Sequence, residues 1–193
     1  TGCTQRGLSG PVLLRKAQES CYRDLSSGPR ALTFAGDYAP IEPIPAHIDL
    51  PLVHVRTGAV EKNDAAAILD LGDGVLLLEF RGKMNTLGAP VLAMLEKAEQ
   101  RIATGGYAGL VIGNADPRTF SAGADLGAVV QGVQAGEWKV LEQAVNTFQQ
   151  SVMSVRRAPF PIVAAPFGLA LGGGCEFSLH AARVQAHAEL YMG

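Results

Sequence analysis

The chain has 193 residues, of which 48% are hydrophobic and 18% charged, with a formal net charge of −2. This composition is typical of a globular protein with a buried core, and the small net charge gives no electrostatic reason to expect nucleic acid as a partner. No stretch approaches the roughly 20 uninterrupted apolar residues of a membrane span, and no charged-then-apolar leader opens the sequence, so we expect a cytoplasmic protein that spans no membrane.

Residues 1–66 are rich in proline and differ from the rest of the chain. Three prolines in the stretch 38–45 exclude a helix or a central strand there. The pattern allows a short helix over residues 12–21 and a short strand over residues 32–34. We interpret the region as the tail of a preceding domain followed by a linker. The alternative is a small self-contained lobe, which its few large apolar residues disfavour.

From residue 67 the pattern becomes regular. Two apolar runs, 67–71 and 75–80, flank the turn Gly72-Asp73-Gly74 and predict a hairpin. Apolar residues then recur every three or four positions between Val91 and Ile102, which predicts an amphipathic helix that ends at Gly105-Gly106.

Strands and helices alternate over the rest of the chain. We predict strands at Leu110–Ile112 and 162–165, a long helix over 138–155 that ends before Pro159, and a helix over 176–186. Such alternation indicates an α/β architecture with parallel pairing, in which the two predicted strands are neighbours.

A glycine-rich turn follows the strand at 162–165. The chain passes Gly168 and the run Gly172-Gly173-Gly174 and reaches Glu176 two residues later. Glycines let the backbone approach a ligand closely, and a helix that starts in such a turn directs free N–H groups at it. The turn therefore suits a developing negative oxygen with an acid or base beside it. A flexible turn between core elements is the alternative.

A second turn of small residues follows the strand at 110–112. The sequence Ser121-Ala122-Gly123-Ala124-Asp125-Leu126 opens a new helical turn. Two strand ends, each followed by such a turn, can each supply one N–H to a shared oxygen, which is the geometry of an oxyanion hole. Alone, this stretch is typical of an ordinary strand–turn–helix connection.

Together the blocks Phe120–Leu126 and Gly168–Glu176 resemble the crotonase (enoyl-CoA hydratase/isomerase) superfamily. The run 70–80 and the Asn-containing turn Met84–Leu87 are similar to the family's opening strand and turn, so the resemblance covers roughly residues 66–193. More closely, the chain resembles fused bacterial proteins that join a 3-hydroxyacyl-CoA dehydrogenase to a C-terminal hydratase-like domain.

The resemblance implies an α/β fold, the crotonase-like (ββα) spiral. Residues 67–193 are then the N-terminal part of that domain, truncated before its C-terminal helices. A Pro-rich irregular segment precedes it, and residues 1–66 are implied to be the tail of a dehydrogenase domain plus a linker. The family's second catalytic glutamate is expected just after Gly193. We therefore expect a homo-oligomeric, active parent protein and an inactive fragment.

The resemblance also implies the chemistry, which is enoyl-CoA hydration in fatty-acid β-oxidation. Coenzyme A is implied as part of the acyl-CoA substrate, no cofactor is expected in the fragment, and NAD is expected only in an upstream dehydrogenase domain. The match places the oxyanion N–H donors at Ala124 and Gly173 and the catalytic acid or base at Glu176. It assigns the CoA side of the pocket to Lys83, Met84, Thr86, Ala122, Asp125, Leu126 and Gly172. For Lys83 an ordinary surface position is the alternative.

Several alternatives stay open. Enoyl-CoA isomerisation or other CoA-thioester chemistry would use the same turns, and a catalytically silent scaffold would use Glu176 only as a helix cap or salt-bridge partner. A serine esterase or peptidase with Ser121 as nucleophile is disfavoured, because Thr119 stands where G-x-S-x-G requires glycine. Cys175 is interpreted as a small buried residue rather than as a nucleophile.

The sequence predicts no metal site and no dinucleotide site. Its three cysteines form no C-x-x-C pair, and His180 and His187 are seven residues apart, which is too far for a helical metal pair. The dinucleotide motif G-x-G-x-x-G does not occur.

Overall fold

The computed structural model describes residues 22–25, 28–33, 35–41 and 48–193. Contacts divide the chain into two compact units, Thr1–Arg56 and Thr57–Gly193.

Among its described residues, the first unit contains a small antiparallel sheet of three strands in the order β1-β2-β3, and the helix α1. Its elements are β1 Tyr22–Leu25, β2 Gly28–Leu32, β3 Tyr38–Pro40 and α1 Leu50–Arg56. Pro40 lies in the edge strand β3, where its missing N–H is tolerated. The predicted strand over 32–34 is misplaced, because β2 ends at Leu32 and Thr33 bonds to Asp37 across the turn. Phe34 and the predicted helix over 12–21 lie outside the described residues.

The second unit contains two sheets and the helices packed on them. Its strands are β4 Glu61–Lys62, β5 Ala66–Gly72, β6 Val75–Phe80, β7 Gly109–Gly113, β8 Thr119–Ser121, β9 Ile162–Ala164, β10 Leu169–Ala170, β11 Arg183–Val184 and β12 Tyr191–Met192. Its helices are a 3₁₀ turn at Lys83–Asn85, α2 Ala89–Ala103, α3 Leu126–Ala135, α4 Trp138–Arg157 and α5 Gly173–His180. The predicted hairpin and the helices over 91–102 and 138–155 are confirmed.

The larger sheet has the order β11-β9-β7-β6-β5-β4. β5 and β6 form the antiparallel hairpin, whose turn holds Gly72, Asp73 and Gly74 with positive φ. Strands β6, β7, β9 and β11 are parallel, and β7 lies directly beside β9 with Leu110 opposite Ile162. The predicted adjacency of these two strands is therefore confirmed.

The second unit begins at Thr57, whereas the sequence pattern predicts that the Pro-rich region continues to residue 66. β4 pairs with β5, and Glu61 on β4 forms ion pairs with Lys97 and Arg101 on α2. The same two cations lower the pKa of the Glu61 carboxyl through hydrogen bonds and charge. Residues 57–66 thus belong structurally with the sheet that follows them.

The core lies between the sheets and the helices. Buried side chains of α2 recur every three or four residues, and burying each large one is worth about 1.5–3 kcal/mol. Phe80 on β6 and Phe120 on β8 meet edge to face, with ring centroids 5.6 Å apart. The larger sheet and the strand β8 consequently share one core.

The smaller sheet of this unit has the order β12-β10-β8, with all strands parallel. Its two-residue strand β10 lies inside the stretch that the sequence pattern presents as a glycine-rich turn. The predicted helix over 176–186 is wrong at both ends. α5 begins at Gly173 and ends at His180, because the backbone turns extended at Ala181 and β11 then pairs with β9.

A partly buried carboxyl links α2 to α4. Ser154 Oγ donates a hydrogen bond to Glu99 Oε1 at 2.8 Å. Burial raises the pKa of Glu99, the bond from Ser154 opposes that rise, and the charge of Glu96 adds to it. A raised pKa in the folded state means that ionisation of Glu99 reduces stability as pH rises through that pKa.

We therefore expect Glu99→Gln to stabilise the protein at neutral pH by no more than about 0.5 kcal/mol, because Glu99 is only partly buried and water screens its charge. The amide oxygen of glutamine can still accept the bond from Ser154. The gain should vanish at a pH below the unfolded-state pKa, where Glu99 is protonated in both states. Thermal denaturation at both pH values measures it, with the exposed Glu142→Gln as the control. A gain of equal size in acid would contradict the assignment.

Candidate functional site

Three segments of the second unit meet at one edge of the smaller sheet: the turn 83–87, the block 121–126 and the block 172–176. Strands β8 and β10 run parallel with Ser121 opposite Ala170, and Leu171 N donates to Ser121 O at 2.8 Å. Parallel strands end at the same edge of a sheet. Ala124 and Gly173 each stand three residues beyond this pair, so the two blocks leave the sheet side by side.

The two blocks touch backbone to backbone at Gly123. A Cβ at this position would lie 2.7 Å from Leu171 O and 3.0 Å from Gly173 N, and φ is +85°. Any side chain would both clash and strain the backbone, so only glycine fits. This contact brings the residue before Ala124 against the first residue of α5.

Two backbone donors at this junction have no acceptor among the described residues. In the part of the chain that the structure describes, neither the Ala124 N–H nor the Gly173 N–H donates to a protein acceptor. Their neighbours are satisfied: Gly123 N donates to Ser121 Oγ at 3.1 Å, and Gly174 N donates to Leu171 O at 2.9 Å. Gly173 begins α5, where unpaired N–H groups are expected.

Glu176 lies in the first turn of α5, and its side chain is exposed. Its backbone is held at both ends, since Glu176 N donates to Gly172 O at 3.0 Å and Glu176 O accepts from His180 Nδ1 at 2.9 Å. Its carboxylate forms no hydrogen bond or ion pair with any described residue. This geometry provides a carboxylate on a fixed backbone, in the same helical turn as the Gly173 N–H.

All seven of the other predicted site residues lie on the same three segments. Met84 O accepts from Ala122 N at 3.0 Å, and Gly172 N donates to Gly193 O at 2.8 Å. Lys83, Met84, Leu126 and Gly172 are exposed, whereas Thr86 and Ala122 are partly buried. Their contact with a substrate stays a prediction.

Asp125 also has a structural role, as a helix cap. It is the N-cap of α3, and its Oδ1 accepts from Gly127 N at 2.9 Å and Ala128 N at 3.3 Å. This bond satisfies donors at the start of the helix. A role toward CoA would come in addition to this cap.

Ser121 is not placed as a nucleophile. Its side chain is fully buried, and its Oγ donates to Asn85 O at 2.7 Å. A nucleophilic serine needs access to the substrate and a neighbouring base. The structure thus contradicts the esterase alternative.

Two side chains cover Gly173 that the sequence motifs do not indicate. A Cβ on Gly173 would lie 2.6 Å from Phe148 Cζ and 3.3 Å from Leu87 Cδ1. Phe148 in turn packs edge to face on Phe177, with ring centroids 5.5 Å apart. The apolar periodicity of α4 predicts that Phe148 packs against the rest of the protein. It does not indicate that Phe148 lies over Gly173.

Within the described ranges, no helix is long and apolar enough to cross a membrane. No group of three or more His, Cys, Asp or Glu side chains among those residues could hold a metal ion. An open cavity formed by Lys62, Asn63, Asp64 and Arg81 shares no residue with the site.

The enoyl-CoA hydratase/isomerase family matches residues 71–189. A Bacillus subtilis (strain 168) protein named "Probable 3-hydroxyacyl-CoA dehydrogenase" is 38% identical over 158 residues, covering 82% of this chain and 20% of the relative. A fatty acid oxidation complex subunit alpha from Vibrio campbellii is 39% identical over 99 residues, covering 50% of this chain and 14% of the relative. The chain thus spans about a fifth, or less, of the length of these relatives.

Solved structures show the same fold. A Bacillus anthracis enoyl-CoA hydratase matches at TM-score 0.59 and 25% identity, over 66% of this chain and 49% of that chain. One from Polaromonas sp. JS666 matches at TM-score 0.62 and 23% identity, over 66% and 50%. These matches confirm the crotonase-like fold, and together with the family match they establish that the chain belongs to the enoyl-CoA hydratase/isomerase family.

Proposed function

We propose that this domain binds an acyl-CoA thioester and hydrates an enoyl-CoA, with Ala124 and Gly173 as oxyanion donors and Glu176 as acid or base. One observation carries the proposal. Two N–H groups that have no acceptor among the described residues stand on turns in direct backbone contact. The Glu176 carboxylate, which has no partner among those residues, belongs to the same helical turn as Gly173.

The N–H groups of Ala124 and Gly173 donate to the thioester oxygen of the substrate. As the oxygen of water bonds to the β-carbon, the double-bond electrons move toward the thioester and negative charge builds on its oxygen. Fixed donors stabilise that charge without reorganising, and losing one such donor typically costs ~3 kcal/mol of barrier.

Glu176 takes the proton from the attacking water as the water oxygen bonds to the β-carbon. It then returns that proton to the α-carbon, so that one water is added in full and the carboxylate is regenerated. Because Glu176 stands three residues after Gly173 on α5, one rigid helix supplies both a donor and a proton-transfer group. Rigid placement of this kind keeps the reacting groups aligned.

The coenzyme A part of the substrate lies along the exposed side of the three segments. The Lys83 ammonium attracts the phosphates, and Met84 and Leu126 offer apolar surface, with 46% and 72% of each exposed. Thr86, Ala122, Asp125 and Gly172 complete this side of the pocket.

The names of the relatives support a place in fatty-acid β-oxidation. Hydration yields a 3-hydroxyacyl thioester, which is the substrate class of the enzyme that names the Bacillus subtilis relative. We therefore place the hydration step in a homo-oligomeric parent protein that also oxidises its product.

The test is turnover of a short trans-2-enoyl-CoA by the full-length protein in isotopically labelled water. We expect the ultraviolet absorbance of the conjugated thioester to fall and labelled oxygen to appear in a 3-hydroxyacyl-CoA product. Migration of the double bond without oxygen uptake would instead support isomerase chemistry. If the protein neither binds nor turns over the enoyl-CoA, only the scaffold role remains. We expect the 193-residue chain alone to show no turnover.

A further inference from the structure

The 3₁₀ turn at Lys83–Asn85 holds two residues in an unusual conformation. Met84 and Asn85 have φ of 53° and 51°, in the left-handed region that side chains other than glycine rarely adopt. Strained residues of this kind persist only where their surroundings hold them, and they concentrate at functional sites. The contacts of Asn85 show what holds it.

Asn85 is buried and bonds to strand β8 at two points. Its Nδ2 donates to Thr119 O at 2.8 Å, and its own carbonyl oxygen accepts from Ser121 Oγ at 2.7 Å. Its side chain is 3% exposed, so these bonds form away from water, where an unmatched polar group is costly.

The same turn holds the block that leads to Ala124. Ser121 Oγ accepts from Gly123 N at 3.1 Å, and Met84 O accepts from Ala122 N at 3.0 Å. Leu87 N donates to Gly123 O at 2.8 Å. Residues 121–123 are therefore each fixed, and the first N–H beyond them is the free donor of Ala124.

Ser121 also touches the second block. Its carbonyl oxygen accepts from Leu171 N, and a Cβ on Gly174 would lie 2.8 Å from Ser121 Cβ and 3.2 Å from Ser121 Oγ. One buried side chain thus supports the turn before Ala124 on one side and the start of α5 on the other.

We infer that Ser121 and Asn85 are positioning residues that set the separation and direction of the Ala124 and Gly173 N–H groups. This inference rests on the proposed function. In this inference neither Ser121 nor Asn85 contacts the substrate. The two residues instead align the N–H groups that do. Displacement of a catalytic group by about 1 Å can lower the rate about 10²-fold.

The test compares Ser121→Ala and Asn85→Gly with Asn114→Ala in the full-length protein. Glycine at 85 tolerates the left-handed backbone without strain and removes the whole side chain, including the amide that bonds to Thr119 O. Asn114 is the matched control, because it is also buried and its Nδ2 donates to Phe120 O on β8 at 2.8 Å. Its Oδ1 accepts from Asp116 N, so neither of these side-chain hydrogen bonds involves residues 121–124. Circular dichroism and thermal denaturation establish that each variant is folded.

Two readouts separate positioning from general stability. The first is hydration kinetics, in which we expect kcat to fall about 10- to 100-fold for Ser121→Ala and Asn85→Gly while KM changes by less than about threefold. The second is the infrared carbonyl stretch of a bound saturated acyl-CoA carrying carbon-13 at the thioester carbon. The stretching frequency should be lower when the ligand is bound to wild type than when it is free in water. In the two variants this shift should be at most half as large. Asn114→Ala should keep it.

The outcomes are distinguishable. If wild type neither hydrates enoyl-CoA nor shifts the carbonyl, the proposed function fails and the inference fails with it. If wild type does both and Ser121→Ala and Asn85→Gly behave like Asn114→Ala, only the inference is overturned. If both variants unfold while Asn114→Ala stays folded, the network serves stability, which also overturns the inference.

Discussion

Glu176→Gln is expected to lower enoyl-CoA hydration by the full-length protein about 10²-fold or more, the usual size of a general acid–base contribution. The amide keeps the shape of the side chain but can neither take up nor deliver the proton. Affinity for CoA should change little, because the carboxylate acts at the reacting carbons. Steady-state kinetics and binding of free CoA measure the two effects separately.

Stability offers a third readout for the same variant. The Glu176 carboxylate is exposed and has no partner among the described residues, so the melting temperature should be nearly unchanged. Glu142→Gln, which replaces an exposed carboxylate on α4, is the matched control and should leave turnover intact. Unchanged hydration by Glu176→Gln, or a large drop in its melting temperature, would show that Glu176 is structural.

Gly123→Ala is expected to destabilise the protein by about 2–5 kcal/mol. The left-handed backbone at φ +85° accounts for about 1–2 kcal/mol of this. Steric overlap with Leu171 O and Gly173 N adds an overpacking cost of about 1–3 kcal/mol. Because the added methyl forces the two blocks apart, residual folded protein should also lose hydration activity.

Gly136→Ala isolates the backbone part of this effect. Gly136 ends α3 with φ +68°, and a Cβ there would meet nothing within 4 Å. Denaturant unfolding of both variants should give a loss of about 1–2 kcal/mol for Gly136→Ala and a clearly larger loss for Gly123→Ala. Equal losses would mean that the blocks are not in contact as described.

Much of the fold could be predicted because its signals are local. The turn Gly72-Asp73-Gly74 defines the hairpin, and the apolar period of 3.6 defines α2 and α4 over many residues. The adjacency of β7 and β9 followed from the alternation of strands and helices. The candidate residues Ala124, Gly173 and Glu176 came from the resemblance, and their roles stay predictions.

Short elements were not predictable in this way. β10, β11 and β12 have two residues each, which is too short for any periodicity to appear. They exist because a neighbouring strand offers paired hydrogen bonds. The same pairing of β11 with β9 ends α5 at His180, where the apolar pattern of the sequence continues.

By itself the sequence determined the hairpin, the long helices α2 and α4, the adjacency of β7 and β9 and the two turns of small residues. These depend on periodicity, on the alternation of strands and helices and on glycine within single segments. Only the tertiary structure decided that Gly123 touches the start of α5 and that Ser121 is buried between Asn85 and Gly174. Those contacts join segments far apart in the chain. They depend on sub-ångström packing between backbones, for which no local pattern exists.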